Sequence, residues 1–177
     1  MSENVDLAKI IAGCKKKEAE SFALLVDTYS GRLFGYFYRL TGNRQISEDL
    51  LSELFVKLVE RIDGFRGGNF ESWLFKIARN IFRDYLRAKQ RYGKLLNGKK
   101  KQIEKNAFET KKTTTESFDK LQIQLDKLDA DTRELIMLRF YSQLSFKEMS
   151  QMRGEPIGTV LSKVHRGLKK LRELMEQ

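Results

Sequence analysis

From Phe70 to Arg91 the chain reads FESWLFKIARNIFRDYLRAKQR. At about 100° per residue, Leu74, Ile77, Ala78, Ile81 and Tyr85 fall on one face. That period is incompatible with a strand and predicts an amphipathic helix with one buried side. Lys76, Arg79, Arg83 and Arg87 run along the other sides as a basic ridge, and Phe70 and Trp73 lie at the start, where the core has no obvious need of them. Cationic groups pair with phosphates, and aromatic faces stack on unpaired bases, so such a ridge suits a nucleic acid. A surface helix with solvated arginines and ordinary core aromatics fits the same segment equally well.

The rest of the chain is equally helical in character. It has a single proline, Pro156, and long stretches of Leu, Lys, Glu, Arg and Ile, while alternating apolar and polar runs bounded by turns are absent. An all-α fold follows. The 177 residues suffice for one medium domain or two small ones. A net charge of +10 points to nucleic acid, an anionic membrane surface or an acidic protein as partner. The membrane is the weakest of these, since no apolar run approaches the roughly 20 residues of a spanning helix and MSENVD lacks the order of a signal peptide. Cys14 is the only cysteine, so neither a disulfide framework nor a cysteine-based zinc site is available. A cytoplasmic protein without membrane insertion, metal or cofactor is expected.

Composition divides the chain into residues 1–91, 92–117 and 118–177. In the first block, Leu7, Ile10, Ile11 and Cys14 form a short helical face. A longer period from Phe22 through Leu40 runs to a stop at Thr41-Gly42. Ser47 is the expected N-cap of a third helix, with Glu48 and Asp49 in its first turn. That helix turns Leu50, Leu51, Leu54, Leu58 and Ile62 inward and breaks at Gly64; Gly67-Gly68 then opens a turn. Residues 92–117, rich in Lys, Thr and Asn, sustain no apolar period and read as a flexible basic linker. A polar extension of the preceding helix to about residue 101 is the alternative for their first part.

The second block opens on Leu121, Leu125 and Leu128, after which Asp129 can cap a helix containing Ile136 and Phe140. SFKE, Ser145 to Glu148, fits the capping box and starts a short helix that stops near Gly154. Beyond Pro156, the residues Ile157, Val160, Leu161, Val164, Leu168 and Leu171 line one side of a last helix. Thr159, Ser162, Lys163, Arg166 and Lys170 line the other. Two helices joined by a tight Gly-containing turn, the second with a polar-basic face, make a helix-turn-helix, whose second helix enters the DNA major groove. A purely structural helical hairpin is the competing reading.

Together the two blocks resemble a bacterial RNA polymerase sigma factor of the extracytoplasmic-function (ECF) type, in the sigma-70 family. ISEDLLSELFVKLVERIDGFRGGNFESWLFKIARNIFRDYLR is similar to the family's domain 2, and LDADTRELIMLRFYSQLSFKEMSQMRGEPIGTVLSKVHRGLKKLREL to its domain 4. The resemblance implies an alternative sigma factor, not an enzyme, whose partners are core RNA polymerase, promoter DNA and an anti-sigma factor. It places Asp49 and Glu53, neighbours on one helix face, on the polymerase-binding helix. Arg66, Asn69, Phe70, Ser72 and Trp73 match the loop and helix start implied to cradle an extruded base of the −10 promoter element. Lys76, Arg79, Asn80, Arg83 and Arg87 match the DNA-facing side of the helix that follows. Thr159, Ser162, Lys163, His165 and Arg166 match the helix implied to read the −35 element.

Two departures stand out. Leu161 occupies a position where many relatives carry a basic residue, and the linker is rich in lysine, at 94, 99, 100, 101 and 105, where relatives are often neutral or acidic. His165 is expected to hydrogen-bond rather than to sense pH, and Cys14 to pack rather than to switch. A stand-alone helix-turn-helix regulator is the runner-up, although it would need neither the Asp49/Glu53 pair nor the Phe70/Trp73 cluster.

Overall fold

The computed structural model describes residues 2–99 and 116–176, which contain eight α-helices and no strand. Helix α1 spans Ser2–Lys15, α2 Ala19–Thr41, α3 Arg44–Arg61, and α4 Phe70–Lys99. A single 3-10 turn, Ile62–Gly64, follows α3. The second half comprises α5 (Glu116–Asp126), α6 (Ala130–Ser142), α7 (Phe146–Arg153) and α8 (Ile157–Glu176).

Local chemistry sets most of the helix ends. Helix α2 stops at Gly42, whose left-handed backbone (φ 63°) lets its N–H reach the Tyr38 carbonyl at 2.8 Å. Helix α3 begins four residues earlier than a cap at Ser47 would put it. Its cap is Asn43, whose Oδ1 accepts from the Ile46 N–H at 2.9 Å, and Ser47 is buried in the first turn with its hydroxyl donating to the Asn43 carbonyl. Asn and Ser are near-equal caps, so spacing alone could not choose between them. Asp129 caps α6 by accepting from Thr132 N–H at 2.8 Å. Ser145 and Glu148 form the full capping box of α7.

Helix α4 does not end at Arg91. It continues to Lys99, so residues 92–99 belong to a helix rather than to a linker; residues 100–115 lie outside the described residues. Its buried face is also broader than the predicted stripe. Leu74, Ile77, Ala78 and Ile81 are buried as expected, but so are Phe70, Phe75, Arg79 and Phe82. The breadth has a plain cause: α4 packs on α3 along one side and on α6 and α7 along another.

The two halves are therefore in contact. Helix α6 lies along α2, where Gly35 makes room for the Tyr141 ring: a Cβ at that position would sit 2.5 Å from it. Arg32 Nε donates to the Tyr141 carbonyl at 2.9 Å, and Gln122 Nε2 to the Arg39 carbonyl at 3.2 Å. Within the second half, α8 closes on α6 through Gly167, whose missing side chain accommodates Thr132 and Ile136.

Candidate nucleic-acid interface

The loop from Phe65 to Asn69 depends on two glycines. Gly67 and Gly68 have φ of 97° and 91°, a backbone region that favours glycine, and nothing presses on either Cα. The turn aims Asn69 at the start of α4, where its Oδ1 accepts from the Ser72 N–H at 3.0 Å. Its Nδ2 donates to Glu148 Oε1 of α7 at 2.6 Å. Serving Ser145 and Asn69 together, the Glu148 carboxylate is held below its ordinary pKa, chiefly by the hydrogen bonds from Ser145.

Phe70 and Trp73 do not share one environment. Phe70 is 3 % exposed, with its ring edge-on to Phe65 at 5.3 Å and tilted against Tyr29 at 5.7 Å. The core does need it. Trp73 is half-buried on the outer side of the same cluster, 5.4 Å from Phe65, and Ser72 beside it is half-buried too; Arg66 is exposed. A cleft of about 1420 Å³ opens beside this loop, walled by Leu7, Ile10 and Ile11 of α1 and by Tyr29 and Arg32 of α2. Burial pushes the Tyr29 hydroxyl up to about 12, so it stays a neutral donor there.

Along α4 the ridge divides in the same way. Lys76, Asn80, Arg83 and Arg87 are exposed. Asn80, Arg83 and Arg87 line a second cleft, of about 290 Å³, together with Lys57 and Arg61 from the end of α3. Those two cations were not among the expected site residues; their only sequence signal was basic character in the last turns of α3. Arg79 is different. It is 6 % exposed, and its Nε lies 2.9 Å from Glu134 Oε1, both side chains more than nine-tenths buried. This close contact is off the hydrogen-bonding direction. Glu134 Oε2 in turn accepts from Arg153 Nη1 at 2.9 Å.

The same charge network reaches into the helix-turn-helix. Arg153 bonds Asp131 and Glu155, and Lys163 Nζ donates to Asp131 Oδ2 at 2.7 Å and to Glu155 Oε2 at 2.8 Å. Burial alone would raise both carboxylates, but hydrogen bonds from Lys163 and Arg153 hold Asp131 and Glu155 below their ordinary range. Those bonds raise Lys163 in return. Lys163 thus points back into its own domain, whereas Thr159, Ser162, His165 and Arg166 are exposed on α8. The apolar side of that helix is not wholly buried either. Val160 and Val164 are inside, yet Ile157, Leu161 and Leu168 are 49, 48 and 47 % exposed.

On α3, Asp49 and Glu53 are both exposed, Glu53 accepting from Lys57 Nζ at 2.5 Å and Asp49 from Gln45 at 3.4 Å. Neither belongs to a group of side chains able to hold a metal, and no such group occurs among the described residues.

Residues 25–92 match the Sigma-70 region 2 family and residues 118–171 match Sigma-70, region 4. Over 178 residues the chain is 30% identical to the ECF RNA polymerase sigma factor SigW of Bacillus subtilis, covering 94% of this chain and 95% of that one. The chain belongs to the ECF branch of the sigma-70 family. It is an alternative sigma factor, of a family whose members are regulatory rather than enzymatic and direct promoter-specific transcription initiation. It is also 30% identical to the ECF RNA polymerase sigma factor SigE of Mycolicibacterium smegmatis, over 85% of this chain and 60% of that longer protein. The sigma factor RpoE of Bartonella quintana, in complex with the anti-sigma factor NepR, superposes with a TM-score of 0.73 at 28% identity, covering 89% of this chain and 98% of that one.

Proposed function

We propose that this sigma factor is a dissociable specificity subunit that docks core RNA polymerase through α3 and meets promoter DNA at two separate surfaces. Asp49 and Glu53 supply the acidic docking face. Arg66, Asn69, Ser72 and Trp73 at the glycine loop would hold an extruded −10 base, with Phe70 as the floor beneath them. Lys76, Arg79, Asn80, Arg83 and Arg87, joined by Lys57 and Arg61, would track the adjoining strand. Thr159, Ser162, His165 and Arg166 would read the −35 duplex, with Lys163 fixing the helix from behind. The chain would act in the cytoplasm, with no catalytic activity of its own; no described helix is long and apolar enough to cross a membrane. By analogy with the Bartonella relative, an anti-sigma factor is a further partner.

The observation that carries this reading is the union of three surfaces on one chain: an acidic exposed helix, an aromatic-floored glycine loop and a helix-turn-helix with an exposed polar face. A simple DNA-binding regulator needs only the last. Replacing Asp49 and Glu53 together by lysine tests it. The exposed Lys57–Glu53 pair contributes little to the fold, so the variant should keep its helical circular dichroism. Its affinity for core polymerase should fall by about tenfold or more, because charge complementarity is reversed. Unchanged affinity in a fluorescence titration would refute the docking assignment.

A further inference from the structure

From Ile157 to Arg172, helix α8 carries five cations and no carboxylate, as a face meeting DNA requires. The outward side of its first turns is nevertheless short of charge. Lys163 is committed to Asp131 and Glu155, so Arg166 is the one fixed cation of those turns left facing solvent. Beside it stand Ser162 and His165, both exposed and able to exchange hydrogen bonds, and among them Leu161, with Ile157 one turn before it. About half the surface of each of these two side chains meets solvent. In a recognition helix the N-terminal residues approach base edges. The one apolar group those edges offer in the major groove is the C5 methyl of thymine.

We infer that Leu161, supported by Ile157, determines specificity by packing against a thymine methyl in the −35 duplex. The inference rests on the assignment of α8 as the −35-reading helix and adds to it the base type read. Duplex DNA fits this patch better than a protein does, because the surrounding side chains are donors and cations with no acidic neighbour on the helix. Burying one methyl-sized group is worth about fourfold in an equilibrium constant. Position 161 can take a polar side chain without unfolding the domain, since nothing in the core depends on it.

The test uses holoenzyme assembled from the full chain and core polymerase. Binding is first selected from a library randomised across the −35 element, and each selected thymine is then replaced by uracil, which lacks only the methyl. Wild-type holoenzyme should lose about fourfold in affinity at one or two positions. With Leu161→Ala the same thymine-to-uracil replacements should change nothing, and Leu161→Gln should shift preference at that position from thymine toward adenine. The inference is overturned if no thymine is selected, if uracil binds as well as thymine, or if Leu161→Ala keeps the wild-type preference while losing a protein partner instead. The underlying assignment is separable from it: Arg166→Ala and Ser162→Ala should alter the selected sequence whichever way Leu161 behaves. If they do not, α8 is not the reading helix.

Discussion

At the scale of single residues, burial separates side chains that the sequence treats alike. Phe70 and Trp73 are both aromatic and both lie at the start of α4, but Phe70 is enclosed by Phe65, Tyr29 and Trp73, whereas Trp73 keeps an open side. Phe70→Ala should therefore cost about 3–5 kcal/mol of stability and weaken every activity together. Trp73→Ala should lose less in a thermal melt and bind core polymerase normally. It should open promoters poorly in permanganate footprinting, and a premelted bubble template should restore transcription, because unstacking the base no longer has to be driven by the protein. Normal opening by a folded Trp73→Ala variant would remove the aromatic cluster from promoter melting. Lys163 and Arg166 divide similarly. Both are basic and on one helix, yet only Arg166 faces away from the carboxylates.

At the scale of elements, several helix ends were legible, because caps are written in adjacent residues, although the cap of α3 and the end of α4 were not. The Ser145–Glu148 capping box, the Asp129 cap and the stops at Gly42 and Gly154 all appear where spacing puts them. What spacing could not show was the burial of Arg79, whose partner Glu134 is distant in the chain and belongs to another helix. The broad inner face of α4 has the same origin, set by α6 and α7 from the far half. Phe70 is instead enclosed by Phe65 and Tyr29, and Lys163 drawn in by Asp131 and Glu155, partners within their own halves but on other elements. Nor does the sequence signal which apolar residues of α8 stay outside. The half-exposed, ion-paired or hydrogen-bonded carboxylates of the second half give it a pH dependence of definite sign. Asp131, Glu155 and Glu148 are held below their ordinary values in the folded state. Their contribution is thus complete above the usual carboxylate range and is lost as pH falls through the lowered values. Thermal midpoints should be steady near neutrality and drop below about pH 4. The drop should be smaller in Lys163→Ala, which has already lost two of the bonds. A midpoint independent of pH down to 3 would contradict the network.

Over the whole molecule, the two halves close on each other across surfaces that the proposed function assigns to DNA. Arg79 is held by Glu134, and Asn69 by Glu148. Promoter contact through these two side chains requires α6 and α7 to part from α2 and α4. The contact of Gly35 with Tyr141 offers a clean wedge, because a larger side chain there would strike the tyrosine ring while an ordinary residue suits the helix better than glycine. Gly35→Leu should increase the radius of gyration in small-angle scattering with helix content unchanged; an unchanged radius would show that the halves are not held at this point. The central claim, that this chain confers promoter choice on core RNA polymerase, is tested most directly by run-off transcription from a promoter library with purified core enzyme. Transcripts should start at one related set of promoters only when the protein is added, and should be lost with the Asp49/Glu53 double variant. Sequence-specific binding of duplex DNA by the protein alone, with no start dependent on it in the presence of core enzyme, would contradict the account.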